Sequence, residues 1–436
     1  MSLGDFPRRM PIILAILALA LPGASRAYPL DGYAHSHIAR LQAWNFKVHR
    51  ERLKKRLPPG QLWPFEDIDL RLADHPDLEI PPVDPEFQRQ IVQLLGGQRK
   101  RYAISILDLT DPERPVFAEH RGDKRFNPGS VGKLVVATAL FRELALAFPD
   151  TARREEILRT TWFRADDFIH KVSHKVPLWS KKSQRVFRRK LRVGDNANLW
   201  TWLDWMLSAS SNSAASMVIK QVMLLHHFGD RYPPTAREAR RFFTRNPPGV
   251  LGKTLREIFD TAMTDQGLDP EEFRQGGFFT STGKRKALAG GSRATTHALM
   301  RFLVKLEQGK IVDGFSSREI KRLLYMTQRR IRYASSPALR NSAVYFKSGS
   351  LYKCRPEPGF VCKKYHGNVK NLLNSVAIIE TPPTEKAGRL YYLVVVSSNI
   401  LRVNSAVAHQ SLATRIHRLM ESRHGGNDGA SPLGIR

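Results

Sequence analysis

The spacing of hydrophobic and polar residues predicts strands near both ends of the chain. Side chains alternate between two faces over Tyr102 to Leu109, which is typical of a β-strand. Asp111-Pro112 marks a turn, and Val116 to His120 follows it as a second strand. Three β-rich segments later in the chain predict further strands, at Val344 to Tyr352, Ser375 to Thr381 and Leu390 to Ser398.

Most of the remaining chain after Asp84 has helical periodicity. Apolar residues recur at helical spacing over Phe87 to Leu95, and Gly96-Gly97 ends this helix. Further helices are predicted over Val131 to Ala147, Leu199 to Leu207, Ser213 to Leu225, Thr295 to Leu306 and Ala406 to Met420. This order predicts an α+β fold, with an antiparallel sheet built from both chain ends, flanking helices and an inserted all-helical lobe.

The first 27 residues have the pattern of a secretory signal peptide. Arg8 and Arg9 precede an unbroken apolar run from Ile12 to Leu21, and Ser25-Arg26-Ala27 offers small residues at a cleavage site. Such a run is too short to span a bilayer as a helix. We expect cleavage, export to the periplasm or cell envelope, and no membrane span in the mature chain. An uncleaved anchor is the alternative.

The rest of the chain divides by composition into three parts. Residues 28–84 form a basic, proline-rich N-terminal extension. His35 to Leu57 is expected to contain a helical stretch, and the proline-rich part after Pro58-Pro59-Gly60 is expected to be a linker or an extended wrap. Residues 85–422 contain all the predicted strands and are expected to form the functional domain. Residues 423–436 are rich in glycine and are predicted to be a disordered tail.

The formal net charge of +30 favours contact with anionic polymers. Export argues against nucleic acid as the partner, which leaves lipid head groups or acidic cell-wall material. The strongest concentration of charge is Lys171 to Gly194, with nine Lys and Arg and no Asp or Glu. We expect a solvated loop there, with contact to an anionic polymer as the alternative.

The chain has two cysteines, Cys354 and Cys362. In an exported protein, a disulfide between them is the expected state. Free thiols and a metal site that includes His366 are the alternatives, but these three residues give one ligand fewer than a structural zinc needs. The sequence indicates neither a metal nor an organic cofactor.

A candidate nucleophile stands at the start of the predicted helix after Pro128-Gly129. In Ser130-Val131-Gly132-Lys133, the i, i+3 spacing brings the lysine amine to the serine hydroxyl. A serine needs a base to take its proton, and a lysine can serve if burial or nearby cations lower its pKa. A helix cap is the alternative role for Ser130.

Two further motifs follow in the chain. Ser210-Ser211-Asn212 lies between two predicted helices, and Lys347-Ser348-Gly349 lies on a predicted strand and is followed by Ser350. Each is weak alone, because serine and asparagine also mark turns and a lysine is common on an edge strand. Together with Ser130-Val131-Gly132-Lys133 they match the S-x-x-K, S-D-N and K-T-G set of class A β-lactamases and penicillin-binding proteins.

From about residue 85 to 422 the chain therefore resembles the class A β-lactamase and penicillin-binding serine hydrolase family. The resemblance implies that Ser130 attacks a carbonyl and becomes acylated. Lys133 would deprotonate it, and Ser210 would pass a proton to the leaving nitrogen. The implied substrates are β-lactams or peptidoglycan stem peptides.

The resemblance also assigns the substrate-binding residues. Asn212 would hold the side-chain amide of the substrate, while Lys347 and Ser348 would bind its carboxylate. Gly349 would permit close approach by the substrate backbone. The N–H groups of Ser130 and Ser350 would form an oxyanion hole, in which each donor contributes about 3–4 kcal/mol.

The chain departs from the family in three places. Ser211 and Ser348 are mild replacements of the second residues of their motifs. The glutamate that releases the acyl group in class A enzymes has no counterpart, because Phe278 to Arg293 contains no Asp or Glu. Glu271, Glu272 and Gln275 lie upstream but do not fit its pattern. Acylation is therefore expected to outpace deacylation.

Three functions remain open at this point. The first is an exported β-lactamase-like enzyme that hydrolyses β-lactam amide bonds. The second is a D-Ala-D-Ala carboxypeptidase or endopeptidase of penicillin-binding type, which the missing glutamate and the basic surface favour. The third is a non-catalytic envelope module, against which the complete set of motifs argues.

Overall fold

A computed structural model describes residue 29 and residues 31–170, 174–288, 290–327, 330–383 and 388–425. The predicted signal peptide and residues 426–436 of the predicted tail lie outside this part. The strands are β1 (Tyr102–Asp108), β2 (Val116–His120), β3 (Trp162–Arg164), β4 (Lys175–Ser180), β5 (Arg185–Lys190), β6 (Asn196–Asn198), β7 (Phe273–Arg274), β8 (Arg293–Ala294), β9 (Ala343–Lys353), β10 (Lys370–Thr381) and β11 (Leu390–Asn399).

Helices make up most of the remaining structure. They are α1 (Gly32–Ser36), α2 (Lys47–Arg56), α3 (Pro85–Leu95), α4 (Lys133–Ala147), α5 (Thr151–Thr160), α6 (Leu199–Leu207), α7 (Asn212–Phe228), α8 (Ala236–Arg245), α9 (Pro248–Thr264), α10 (Ser281–Lys286), α11 (Thr296–Glu307), α12 (Gly314–Tyr325) and α13 (Ser405–His424). Within the described residues, no helix has the length and apolar character needed to cross a membrane.

The main sheet has five antiparallel strands in the order β2-β1-β11-β10-β9. Two of them come from before the helical block and three from after it, and Ile104 of β1 pairs with Val396 of β11. The predicted α+β fold, with a sheet drawn from both chain ends, is confirmed. β9 lies at one edge of the sheet, so one side of this strand pairs with no other strand of the sheet.

Both faces of the sheet are covered by apolar side chains. On β1, Leu107 belongs to the core shared with the helical lobe, while Ile104 and Ile106 belong to a second core with α3 and α13. The alternation in the sequence therefore separates two buried faces. α4 is buried on nearly all sides because it packs against both α7 and α9.

Residues 31–84 contribute to the main core. Ile38, Leu41 and Phe65 are buried in the cluster that holds the helical lobe together. The buried Arg40 donates two hydrogen bonds to Asp204 of α6, at 2.7 and 2.8 Å. α2 lies within the helical stretch predicted over His35 to Leu57, and the chain over residues 62–84 is irregular.

Two sequence expectations need correction. Part of Lys171 to Gly194, expected to be a solvated loop, folds as the antiparallel β4–β5 hairpin, and Trp179 of this hairpin stacks on Phe46 at 5.5 Å. The final helix also extends to His424, two residues into the predicted tail, because the His424 ring bonds the Asp108 carboxylate at 2.7 Å.

Candidate active site

Ser130 lies in a single 3-10 turn, Gly129–Gly132, that leads directly into α4. Its side chain makes no capping hydrogen bond to α4, so the capping role is not observed. The turn lies against the edge strand β9. A Cβ added to Gly349 would stand 2.7 Å from the Ser130 nitrogen and 2.1 Å from the Pro128 oxygen. Only a glycine at position 349 lets the strand approach the nucleophile this closely.

A polar contact from the sheet supports the loop before the nucleophile. Asn374 of β10 donates from Nδ2 to the Asn127 carbonyl at 2.9 Å, and its Oδ1 accepts from Ser397 of β11 at 2.8 Å. Asn374 is paired with Gly349 in the sheet register. The nucleophile turn is therefore held from two neighbouring strands.

Lys133 is fully buried directly beneath Ser130. Its Nζ lies 2.8 Å from Ser130 Oγ, 3.0 Å from the Ser210 carbonyl oxygen and 2.7 Å from Asn212 Oδ1. The last two atoms can only accept hydrogen bonds. A neutral amine has two N–H groups and one lone pair, so these acceptors take both hydrogens. In that neutral state, the lone pair is left to accept from the Ser130 hydroxyl.

The electrostatic surroundings of Lys133 favour the neutral amine. Burial, and then the charges of Lys347 and Arg332, hold its pKa well below the usual lysine value. A neutral lysine beside a serine hydroxyl can act as a general base.

Ser210 and Ser211 lie in the sharp turn between α6 and α7, and Asn212 is the first residue of α7. Ser210 has a left-handed backbone with φ of 56°, which is uncommon for a residue other than glycine. This conformation accompanies the Ser210 carbonyl contact to Lys133 and the hydroxyl contact to Lys347. Ser211 caps α7, because its side chain accepts from the Ala214 N–H.

Lys347 of β9 is also buried, and it contacts the hydroxyl of Ser210 rather than the carbonyl. Its Nζ donates to Ser210 Oγ at 2.8 Å and to the Ser348 carbonyl at 3.1 Å. Burial, and then the charge of Arg332, lower the pKa of Lys347 to about 7. Ser210 therefore contacts both lysines, with its carbonyl on Lys133 and its hydroxyl on Lys347.

Arg332 is a site residue that no sequence motif indicates. Its guanidinium donates to Ser348 Oγ at 2.5 Å, to Ser350 Oγ at 3.2 Å and to the Tyr365 hydroxyl at 2.7 Å. Its own backbone has a φ of 59°. No motif surrounds it in the sequence, and only the tertiary fold brings it to β9.

These groups open onto a cleft of about 1370 Å³. The part of the lining that the structure describes includes Lys175, Arg188, Lys284, Arg330, Arg332, Lys347 and Lys364, but no Asp or Glu. His174 also lines the cleft, and burial is the main cause that lowers its pKa to about 3. The cleft therefore suits an anionic ligand.

Gln275, rather than a carboxylate, lies beside the nucleophile turn. Its Oε1 is buried and would be 2.1 Å from a Cβ added to Gly132. Its Nε2 donates to the Gly277 carbonyl at 2.7 Å. Glu271 points away, to ion pairs with Arg274 and Arg293.

The structure joins Cys354 and Cys362 as a disulfide, with Cα atoms 6.1 Å apart. It follows the end of β9, on the loop that leads to Lys364 and Tyr365 at the cleft. Among the described residues, no group of three or more His, Cys, Asp or Glu side chains is arranged to hold a metal ion.

No family model and no curated protein matches this chain. Solved structures with some similarity include a β-lactamase from Chitinophaga pinensis, at 14% identity and a TM-score of 0.47, covering 78% of this chain and 99% of that one. PBP-A is similar at 12% identity and a TM-score of 0.47, and the match covers 79% of this chain and 100% of PBP-A. A β-lactamase from Xanthomonas campestris is similar at 16% identity and a TM-score of 0.46, and the match covers 77% of this chain and 97% of that one.

Proposed function

We propose that this chain is an exported serine hydrolase of penicillin-binding type, which opens β-lactams and cleaves peptide-like amides by acylation of Ser130. The observation that carries the proposal is the contact between Lys133 and Ser130. Burial lowers the pKa of this lysine, and in its neutral form the Ser210 carbonyl and Asn212 Oδ1 accept both N–H groups, which leaves the lone pair for the hydroxyl 2.8 Å away.

The catalytic cycle follows from the positions of these groups. Lys133 takes the Ser130 proton as Oγ attacks the carbonyl carbon, and the Ser130 and Ser350 N–H groups stabilise the oxyanion. The scissile C–N bond then breaks. The proton that Lys133 took from Ser130 passes by way of the Ser210 hydroxyl to the leaving nitrogen, so Lys133 returns to the neutral amine and Lys347 keeps its charge. Lys347, Ser348 and Arg332 hold the substrate carboxylate.

A second candidate is a fast β-lactamase of class A type, which the order of the three motifs favours. Rapid turnover needs a base that activates water against the acyl-enzyme. Gln275 stands beside the nucleophile turn, and an amide cannot take a proton from water. The described cleft lining without a carboxylate therefore supports slow deacylation and a penicillin-binding role.

Labelling with a fluorescent penicillin tests the proposal. The mature protein should become covalently labelled, and Ser130→Ala should abolish the label. Lys133→Met should slow labelling by about 100-fold or more, the lower range for a lost general base. Lys253→Met, on the exposed face of α9, is the matched control and should label normally. Unchanged labelling of Lys133→Met would contradict the role of this lysine.

A further inference from the structure

Four basic residues at the rim of the cleft have no role in the proposed chemistry at Ser130. Lys175 and Arg188 belong to the β4–β5 hairpin, Lys284 to α10, and Lys364 to the loop after the disulfide. All four side chains are exposed. They come from three separate elements, and the fold collects them around one opening.

The hairpin brings two of these charges together. Pro177 of β4 is paired with Arg188 of β5, and the Arg188 guanidinium donates to the Lys175 carbonyl at 2.8 Å. The contacts between the hairpin and the N-terminal extension, through Trp179 and Phe46, anchor it beside the cleft. The rim charges are therefore carried on folded elements.

The cleft has more charge and more room than one small ligand needs. Lys347 and Arg332 already supply the cations for a carboxylate beside the scissile amide. The volume of about 1370 Å³ exceeds the roughly 300–1,000 Å³ typical of pockets for small ligands. Without an acidic side chain in the described lining, the rim cations add to one positive potential.

We propose that the rim selects substrates with a second carboxylate, such as acyl peptides with acidic side chains, over singly charged ones. The proposal rests on the proposed function and specifies its substrate class. Lys175, Arg188, Lys284 and Lys364 act as specificity-determining residues: they attract the outer carboxylate, while Lys347 and Arg332 hold the inner one. No bond changes at the rim.

Two penicillins that differ by one carboxylate test this proposal. Carbenicillin is benzylpenicillin with an added side-chain carboxylate. The second-order rate constant of acylation should be larger for carbenicillin, and added salt should reduce this preference because the rim is exposed. In Lys175→Ala/Lys284→Ala, the ratio of the two rate constants should fall by about threefold to tenfold, as expected for two exposed ion pairs.

Lys54→Ala/Lys55→Ala is the matched control, because it removes the same charge from the exposed face of α2. This variant should keep the wild-type ratio. An equal ratio in the wild type and the rim variant would overturn the proposal. If the ratio fell equally in both double variants, the preference would come from net charge rather than from the rim, and the proposal would also be overturned.

Equilibrium binding separates this proposal from the proposed function. Ser130→Ala cannot form an acyl bond, so calorimetry can compare its affinities for the two penicillins. Tighter binding of carbenicillin, lost in the triple variant with Lys175→Ala and Lys284→Ala, would support the rim even if neither drug acylated the wild type. Equal affinities would overturn the rim proposal while leaving acylation of Ser130 intact.

Discussion

Lys347 Nζ donates a hydrogen bond to Ser210 Oγ at 2.8 Å, while the carbonyl of the same serine contacts Lys133. One residue thus contacts two buried lysines that need opposite protonation states. Lys133 must be neutral to accept a proton, and Lys347 must be charged to hold a carboxylate. The lowered pKa of Lys133 and the pKa of about 7 at Lys347 set the pH range in which both conditions hold.

The pH dependence of acylation follows from this pair. Lys347 is charged below its pKa of about 7 and loses its proton above it, so kcat/KM for acylation should fall on the alkaline side of pH 7. A bound carboxylate favours the charged lysine, so the rate at saturating drug should fall less. Lys347→Arg should remove the alkaline limb, because arginine stays charged. Stopped-flow acylation measured across pH tests both expectations, and an alkaline limb that survives Lys347→Arg would contradict them.

Gly349 is predicted to be intolerant of a side chain. A Cβ there would stand 2.1 Å from the Pro128 oxygen and 2.7 Å from the Ser130 nitrogen, so Gly349→Ala must push the nucleophile turn away from β9. A displacement of about 1 Å can cost roughly 100-fold in rate, and we expect a loss of at least that size.

Gly97→Ala is the control, since a Cβ at Gly97 meets no atom within 4 Å. This variant should acylate like the wild type. Far-UV circular dichroism should show that both variants are folded. Full activity in Gly349→Ala would show that the turn and the strand do not need this contact.

Gln275→Glu should speed the release of the acyl group. A carboxylate at this position would lie beside Gly132 and the nucleophile turn, where it could activate water. We expect the deacylation rate, measured by recovery of free enzyme after removal of the drug, to rise by about 100-fold or more, the lower range for a general base. Glu271→Gln should leave the rate unchanged, because Glu271 is held by Arg274 and Arg293. An unaltered deacylation rate in Gln275→Glu would show that the water that attacks the acyl-enzyme is not activated from this position.

The N-terminal extension should be essential for stability. Arg40 makes two hydrogen bonds to the fully buried Asp204, and Arg40→Ala would leave that carboxylate without its charged partner. Breaking a buried ion pair in this way costs about 3–5 kcal/mol in the free energy of unfolding. Urea unfolding should detect this loss, while Arg52→Ala on the exposed face of α2 should change stability little. A loss below about 1 kcal/mol for Arg40→Ala would contradict the role of this pair.

The main elements could be predicted because their sequence patterns report burial. Alternation on β1 reflects two buried faces, and the ten residues of β11 are almost all buried. No sequence pattern predicts the β4–β5 hairpin, because its second strand, Arg185–Lys190, is mostly charged and exposed and has no clear apolar face. Its position depends on contacts with the N-terminal extension, which no local pattern shows.

The site also contains residues that sequence motifs predict and one that they do not. Ser130, Lys133, Asn212 and Lys347 were predicted as site residues because they occur in short motifs, and the fold brings all four together. Arg332 had no such signal. It reaches Ser348 and Ser350 from another segment, through a left-handed backbone conformation that sequence periodicity does not predict.

Intact-mass measurement over time after mixing with benzylpenicillin is the most direct test of the central claim. The mass should rise by one drug molecule, the adduct should map to Ser130, and it should persist for many minutes after free drug is removed. Ser130→Ala should show no adduct. A wild-type protein that never gains the mass of the drug would contradict acylation at Ser130.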